Sequence, residues 1–473
     1  MARRWPRACG SVSGMAKISA ARGAAHAILM AVEDGKAHSD DLLREDKSMA
    51  LMSAADRRLT TALVLGVLRW QIQLDERLRT YFIKPGLKLD APVRVALRLG
   101  AFQLLHLDRI PVHAAIDESV ELTKRSCRRS AAGLVNAVLR KMALAVEATE
   151  GASSVEGGES LSAVAAHPSW MVERWKRFFG EEIACAICMH DQSPPLHSIR
   201  LTAPESEKEL ADAGVSLGSG KLLSGARLVM DGDVTATAAF REGRAQMQDE
   251  GSQLVAEIAA AALQVDGGTI LDCCAAPGGK TLILAQRNPG ARIVACEASR
   301  RRLEQLRRRL AFLGDRVDCR LADATALNFD SEFDVVLADV PCSGTGTLSR
   351  NPEIRYRLAE QDLARQAERQ RGILASALRA VRPGGRVVYS TCSLEPEENE
   401  DVVRAVVAEN ASARVVRLGL SLDALHGRGI LCERDEGRLE KCLMPEGFLR
   451  LTPDAFGTDG FFIAMIEREQ AAV

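Results

Sequence analysis

Two thiols stand out as groups able to do covalent chemistry. Cys342 lies in Leu337-Ala338-Asp339-Val340-Pro341-Cys342-Ser343-Gly344-Thr345-Gly346, and Cys392 lies in Tyr389-Ser390-Thr391-Cys392-Ser393. A thiolate is a strong nucleophile and adds readily to an electron-poor carbon. A single cysteine is usually a small buried apolar residue. Two of them, each closing an apolar strand-like run and each flanked by Ser, Thr or Gly, point to one reactive site. Asp339 adds a carboxylate three residues before the first thiol.

A third run, Asp272-Cys273-Cys274-Ala275-Ala276-Pro277-Gly278-Gly279-Lys280-Thr281, joins a strand-like segment to a helical one. Adjacent glycines there let the backbone approach a ligand and open the helix N-terminus toward it. A phosphate-cradling loop would need Gly-x-x-x-x-Gly-Lys-Thr, and Cys274 stands where its first glycine belongs. The dinucleotide pattern Gly-x-Gly-x-x-Gly is absent, and an ordinary strand–helix turn remains an alternative. Glu297 closes the next strand, about 25 residues after Asp272, where an acidic side chain commonly holds ribose hydroxyls; a surface Glu favoured by a helix dipole is the competing reading. Asp323 follows a further strand, and taken alone is more often a helix cap than a ligand contact.

These residues need elements to carry them. From residue 245 onward, apolar strand-like runs alternate with helices: Thr269–Asp272, Arg292–Glu297, Val317–Leu321, Phe333–Asp339, Arg386–Thr391 and Phe461–Glu467. In the helix over Arg300–Leu313, leucines 303, 306, 310 and 313 form one stripe and six arginines lie off it. Such alternation predicts a parallel, doubly wound α/β sheet, whose ligands sit at the carboxyl ends of the strands. Residues 17–145 read as helical throughout, with Leu63, Val67 and Trp70 at helical spacing and prolines 85, 92 and 111 between runs. Residues 1–16 read as an unstructured extension, and Met15 is an alternative start. Residues 146–166 are a Gly/Ser/Glu linker. Residues 167–244 are a small α+β module, with helices at 170–179 and 206–213 and strands at 198–201 and near Leu228. Residues 419–447, rich in Gly and charge, receive no role.

Composition excludes several classes. The chain has 473 residues, 47% apolar and 26% charged, with a net charge of −1; that suits several folded domains. The first 150 residues hold 24 Lys and Arg against 16 Asp and Glu, a basic balance that permits nucleic-acid contact. No apolar run approaches a membrane span and no secretory signal is visible. Twelve cysteines at irregular spacing read as free thiols in a reducing cytosol, so a cytoplasmic location is expected. Aromatic residues, at 4%, are too sparse for broad base stacking. Cys185-x-x-Cys188 with His190 lacks a second pair at zinc spacing, so no metal is expected. Cys432 and Cys442 fit no motif.

Together, Asp-x-Cys-Ala-Ala-Pro-Gly-Gly-Lys at 272–280, Asp-x-Pro-Cys-Ser-Gly-x-Gly at 339–346, and Thr391-Cys392-Ser393 followed by Glu397-Glu398-Asn399-Glu400 resemble the RNA cytosine-5 methyltransferases that use S-adenosylmethionine. Methylases acting on exocyclic nitrogens place Asn/Asp-Pro-Pro-aromatic at the Asp339 position; Cys342 replaces the aromatic. Arg98–Leu104, Ile110–Glu118 and Gly133–Arg140 resemble a NusB-like RNA-binding domain. The resemblance covers residues 17 to 468. It implies a multidomain protein: an all-α NusB-like N-terminal domain, a small α+β module and a C-terminal α/β class I (Rossmann-like) methyltransferase domain over 245–473. It further implies methylation of carbon 5 of a cytosine in 16S rRNA, before or early in small-subunit assembly, by a monomer. By the same resemblance Cys392 is the nucleophile, Cys342 assists product release, and Asp339 lies near cofactor and base. Cys274, Ala275, Ala276, Pro277, Gly278, Gly279 and Lys280 would wrap the methionine part of the cofactor, Glu297 would hold its ribose and Asp323 would face its adenine. Glu297 departs from the family's commoner Asp by one methylene.

Three other readings stay open: a NusB-like RNA-binding or antitermination protein with an idle second half, a P-loop ATPase, and the same chemistry on tRNA or large-subunit rRNA. Arg125, Arg128, Arg129, Arg350 and Arg355 are candidate phosphate contacts, against the commoner reading of a solvated charged face.

Overall fold

A computed structural model describes residues 18–35, 38–84, 86–149, 164–203, 205–432 and 437–470. The expected extension over 1–16, Pro85 and most of the expected linker lie outside the described residues. The chain forms two compact units, residues 1–194 with 348–357, and residues 195–347 with 358–473.

The first unit is helical. Its main helices are Ala20–Glu33, Ala54–Arg79, Ala91–His106, Val112–Arg125 and Ala132–Thr149, followed by Ser169–Phe179 and Glu181–Gln192. The last two, expected to open the α+β section, lie with the helical unit. The expected helical spacing produces a shared core in which Leu63, Val67, Leu97, Leu99 and Leu139 are buried. Close helix packing depends on Gly66, where an added Cβ would lie 2.0 Å from the Phe102 ring.

Residues 348–357 leave the strand order of the second unit and are built into the first. Buried Glu353 accepts from Ser39 N and Oγ, both at 2.9 Å. Tyr356 Oη donates to the Leu68 carbonyl. Arg355 is 2% exposed. Its guanidinium donates to the carbonyls of Arg69 at 2.9 Å and Asp191 at 3.1 Å, and to Gln192 Oε1 at 3.0 Å. The expectation that Arg355 holds a phosphate is therefore corrected: the guanidinium is buried and both its terminal nitrogens bond carbonyl oxygens of the helical unit. Arg128 pairs with Asp90 at 2.6 Å and Arg125 with Glu121 at 3.7 Å, both half-exposed.

The second unit begins with an antiparallel sheet of β1 (His197–Leu201), β2 (Ser216–Ser219), β3 (Ala226–Asp231) and β4 (Ala245–Met247), in the order β2-β3-β1-β4. Its main sheet holds β5 (Thr269–Asp272), β6 (Arg292–Glu297), β7 (Val317–Leu321), β8 (Phe333–Asp339), β9 (Val381–Thr391), β10 (Ala413–Val416), β11 (Leu449–Leu451) and β12 (Phe461–Arg468). The order is β10-β12-β9-β8-β5-β6-β7, with β11 paired to β12. The run from β7 to β9 is parallel, and β8 is buried along almost its whole length, as a strand covered on both faces must be.

The sheet is mixed rather than wholly parallel, because β12 runs antiparallel to β9, β10 and β11. Only the short turn carrying helix Pro453–Phe456 separates β11 from β12. A parallel return would need a longer crossover. Within the stretch left without a role, helix Gly419–Gly427 brings Leu422 and Leu425 into the core that contains Ile258 and Ile463. β5 lies between β6 and β8, so the chain direction across the sheet reverses there. That reversal opens a crevice at the carboxyl ends of β5 and β8.

Removing the Arg355 side chain takes a charged donor from three buried acceptors, of which Arg69 O keeps Gln192 Nε2 at 3.1 Å. Arg355→Ala is expected to cost about 3 kcal/mol, seen as a lower urea midpoint. The slope of log affinity for RNA against log salt should stay unchanged, whereas a lost phosphate contact would reduce it by about one.

Candidate active site

The register of two neighbouring strands brings the thiols together. In the parallel β8–β9 pair Asp339 lies opposite Ser390, and the pairing continues past both strands. Val340 N donates to Ser390 O at 2.9 Å and Gly346 N to Cys392 O at 3.0 Å. Cys342 and Cys392, 50 residues apart in sequence, end with their Sγ atoms 3.3 Å apart. Both are only partly buried. An added Cβ at Gly346 would lie 2.5 Å from Gly460 O and 2.9 Å from Cys392 O, so only glycine permits this close approach. Contact with Cys392, reinforced by burial, raises the Cys342 pKa well above the usual thiol range.

Asp339 Oδ1 accepts from Ser390 Oγ at 2.7 Å, and Oδ2 pairs with Lys280 Nζ at 2.8 Å. Lys280 also donates to Ser252 Oγ at 2.8 Å. Burial alone would lower the Lys280 pKa. The Asp339 carboxylate, with a smaller contribution from Cys392, more than offsets this and keeps the ammonium charged. Lys280, expected only as part of the cofactor loop, thus also reaches the carboxylate beside the thiols.

The loop after β5 carries the other expected residues. Ala275 and Ala276 are buried and Cys274 is half-buried. Gly278 takes φ +98°, where an added Cβ would come 2.9 Å from Leu306 Cδ1. Two of the six off-stripe arginines hold this loop: Arg302 donates to Ala276 O at 2.7 Å and Arg309 to Pro277 O at 3.3 Å. Glu297, at the end of β6, is buried rather than superficial; it accepts from Ser299 N at 2.8 Å and lies 3.4 Å from Arg302. Asp323 is exposed and caps the short turn Ala324–Ala326 through Thr325 N and Oγ1, contacts that lower its pKa.

The loop fits a small polar ligand. An added Cβ at Gly279 would fall 3.3 Å from Gln248, whose buried Oε1 has no hydrogen-bond partner. An unfilled acceptor beside a glycine loop at a helix start suits a cationic, amino-acid-like group.

Residues that sequence reasoning passed over include Ser252, Gln248 and Ser390. The segment Glu397–Glu400 carried a recognisable pattern but no role. Glu398 and Asn399 prove fully buried, and Asn399 bonds Thr391 Oγ1 and Ser393 O. Among the described residues no cluster of three or more His, Cys, Asp or Glu side chains could hold a metal, and the Cys188 thiol is pushed up to about 12, mainly by burial.

A helical NusB domain followed by a Rossmann-like sheet with its polar cluster at the switch defines a methyltransferase. Residues 260–467 match the family described as 16S rRNA methyltransferase RsmB/F, and residues 19–144 match the NusB family. The chain is 32% identical to the probable ribosomal RNA small subunit methyltransferase B of Bacillus subtilis, over 96% of this chain and 100% of that protein. It is 33% identical to ribosomal RNA small subunit methyltransferase B of Pseudomonas putida, over 87% and 95%. The chain belongs to the RsmB/F family of S-adenosylmethionine-dependent rRNA methyltransferases. Its fold resembles the crystal structure of PH0851, with TM-score 0.74, 24% identity and coverage of 96% of this chain and 100% of that one. It also resembles NSun6 from Pyrococcus horikoshii solved with SFG, with TM-score 0.53, 20% identity and coverage of 64% and 99%.

Buried Asp272, which accepts from Thr281 Oγ1 at 2.7 Å, is pushed up to about 6, chiefly by burial. A carboxyl with a raised folded-state pKa stabilises the fold most fully below its unfolded value and loses that contribution as pH rises through the folded one. Relative to Asp272→Asn, the wild-type chain should therefore lose on the order of 2 kcal/mol between about pH 4 and 6, read from paired thermal melts.

Proposed function

We propose that the protein methylates carbon 5 of a cytosine in 16S rRNA through a transient bond between Cys392 and carbon 6 of the base. The observation that carries this reading is the thiol pair at 3.3 Å beside the Asp339–Lys280 pair. Carbon 5 of cytosine is a poor nucleophile. When the Cys392 thiolate adds to carbon 6, electron density moves to carbon 5. S-adenosylmethionine supplies an electrophilic methyl group, which carbon 5 accepts. Loss of the carbon-5 proton then expels the Cys392 thiolate and restores the ring.

Each neighbouring group has a task. Asp339 accepts hydrogen bonds from Ser390 and Lys280, so the proton available to charge building on the ring is the one Lys280 brings to the pair. The contact with Cys392 is the largest influence holding the proton on Cys342. Once Cys392 is bonded to the ring that influence is gone, so Cys342 can release its own proton to solvent and, as the thiolate, take the carbon-5 proton. Cys274 to Lys280 would hold the methionine part of the cofactor, Glu297 its ribose and Asp323 its adenine. SFG, an analogue of that cofactor, accompanies the NSun6 fold relative. The base must be unpaired or flipped out to expose carbon 6, and the basic helical domain would hold neighbouring RNA. Such an enzyme works in the cytoplasm, where the thiols stay reduced. Full presence of the thiol pair and the glycine loop argues against an idle second half.

Cys392→Ser should abolish transfer of labelled methyl to 16S rRNA, whereas Cys342→Ser should accumulate a covalent protein–RNA adduct on denaturing gels. The opposite pattern would reverse the two roles. Bisulfite mapping of rRNA from cells with and without the gene should show one cytosine losing protection; a change confined to tRNA or large-subunit rRNA would move the substrate.

A further inference from the structure

We infer that Glu398 is a positioning residue that sets the spacing of the two reactive thiols. The inference rests on the two-thiol reading above for its consequence in catalysis, though not for its geometry.

Each thiol is followed directly by a serine, Cys342-Ser343 and Cys392-Ser393. Both serine hydroxyls donate to the same carboxylate oxygen, Glu398 Oε2, and they lie 3.0 Å from each other. The other oxygen, Oε1, accepts from Ser343 N at 2.8 Å and from Gln370 Nε2 at 3.0 Å. An ionised carboxylate is an acceptor only, with about four lone-pair sites, and these four neutral donors match them. Glu398 is fully buried, so water does not share the task.

The carboxylate therefore ties two loops that separate strands supply. Ser343 belongs to the loop after β8 and Ser393 to the loop after β9, while Glu398 comes from the turn Pro396–Glu398. Thr345 Oγ1 extends the link by accepting from Leu394 N at 2.9 Å. Each thiol-bearing residue is thus one peptide bond away from a serine whose hydroxyl shares that single acceptor. Backbone pairing of β8 with β9 sets where the loops start; Glu398 sets how far apart they are at the sulfurs.

Glutamine has the same shape but replaces one oxygen with an NH2 group. That group would face either two hydroxyls or an N–H and an amide, all acting as donors now. Facing the hydroxyls, it would make them reverse their O–H bonds and accept, so the two charge-assisted bonds that draw the loops together would be replaced by weaker neutral ones.

The spacing can be read without RNA. Diamide takes two electrons and two protons from a pair of thiols, forming an S–S bond and a reduced hydrazine. Sulfurs at 3.3 Å need to close only to the roughly 2.05 Å of a disulfide. In the full-length protein, the Cys342–Cys392 linked peptide should form in the wild type and at least tenfold more slowly in Glu398→Gln, measured by peptide mass mapping. Melting temperature and S-adenosylmethionine affinity, measured alongside, show that the variant is folded. If Glu398→Gln does not fold, Ser393→Ala, which removes one of the four donors, carries the same test with the same expected slowing. Closure at the wild-type rate in a folded variant overturns the inference. A second measurement separates the two readings. Single-turnover methylation of 16S rRNA by Glu398→Gln should leave a larger fraction of covalent adduct than the wild type. Slowed closure with no change in adduct would leave Glu398 as the spacer and overturn the assignment of Cys342 to product release.

Discussion

The candidate site depends on the parallel pairing of β8 with β9 in a register that sets Asp339 opposite Ser390. Side chains alternate between the faces of a strand, so a slip of one residue would turn each strand-end residue to the wrong side. The pairing is held where slippage is costly, in a sheet centre whose residues Val335, Val336, Leu337, Val387 and Val388 are all buried. From that register follow the 3.3 Å thiol contact, the bond from Ser390 to Asp339, and the reach of Lys280 from the helix after β5. The crevice at the β5/β8 switch is where the loops after β5, β8 and β9 converge.

The floor of the site is polar and buried. Glu398, Asn399, Ser393 and Asp272 are each at most 1% exposed, an arrangement that is unfavourable unless the groups pair. Here the hydrogen-bond partners come from different loops. A buried polar network satisfied only in one arrangement penalises other loop conformations more than an apolar filling would. The hydrophobic layers on either side of the sheet supply stability, and the polar floor supplies the geometry. Arginines of the helix Arg300–Leu310 add to this from outside, capping carbonyls of the glycine loop.

The helical unit is organised by a different economy of charge. Residues 348–357 enter it with Glu353 and Arg355 buried and bonded to backbone groups and polar side chains of that unit. This segment begins five residues beyond Ser343. The same chain stretch therefore carries a thiol of the candidate site in one unit and a buried ion-bearing anchor in the other.

Much of the fold was legible in the sequence because it is written in local periodicity. Thr269–Asp272, Arg292–Glu297, Val317–Leu321 and Phe333–Asp339 appear as strands with the boundaries the apolar runs suggest. β2, β4, β10 and β11 were not legible: each is three or four residues long and lacks the flanking glycine-loop motif that marked the equally short β5. The direction of β12 was hidden as well, since strand patterning is the same for parallel and antiparallel neighbours. Residue types alone marked Cys342, Cys392, Asp339 and the glycine loop as chemical. They did not show that Lys280 reaches Asp339, that Arg355 bonds buried carbonyls, or that Glu398 joins two loops. The contacts that show it join residues 55 to 286 positions apart. A sequence read along one dimension records what each segment can do; strand register and burial, which exist only once the segments are packed, decide which of those capacities meet.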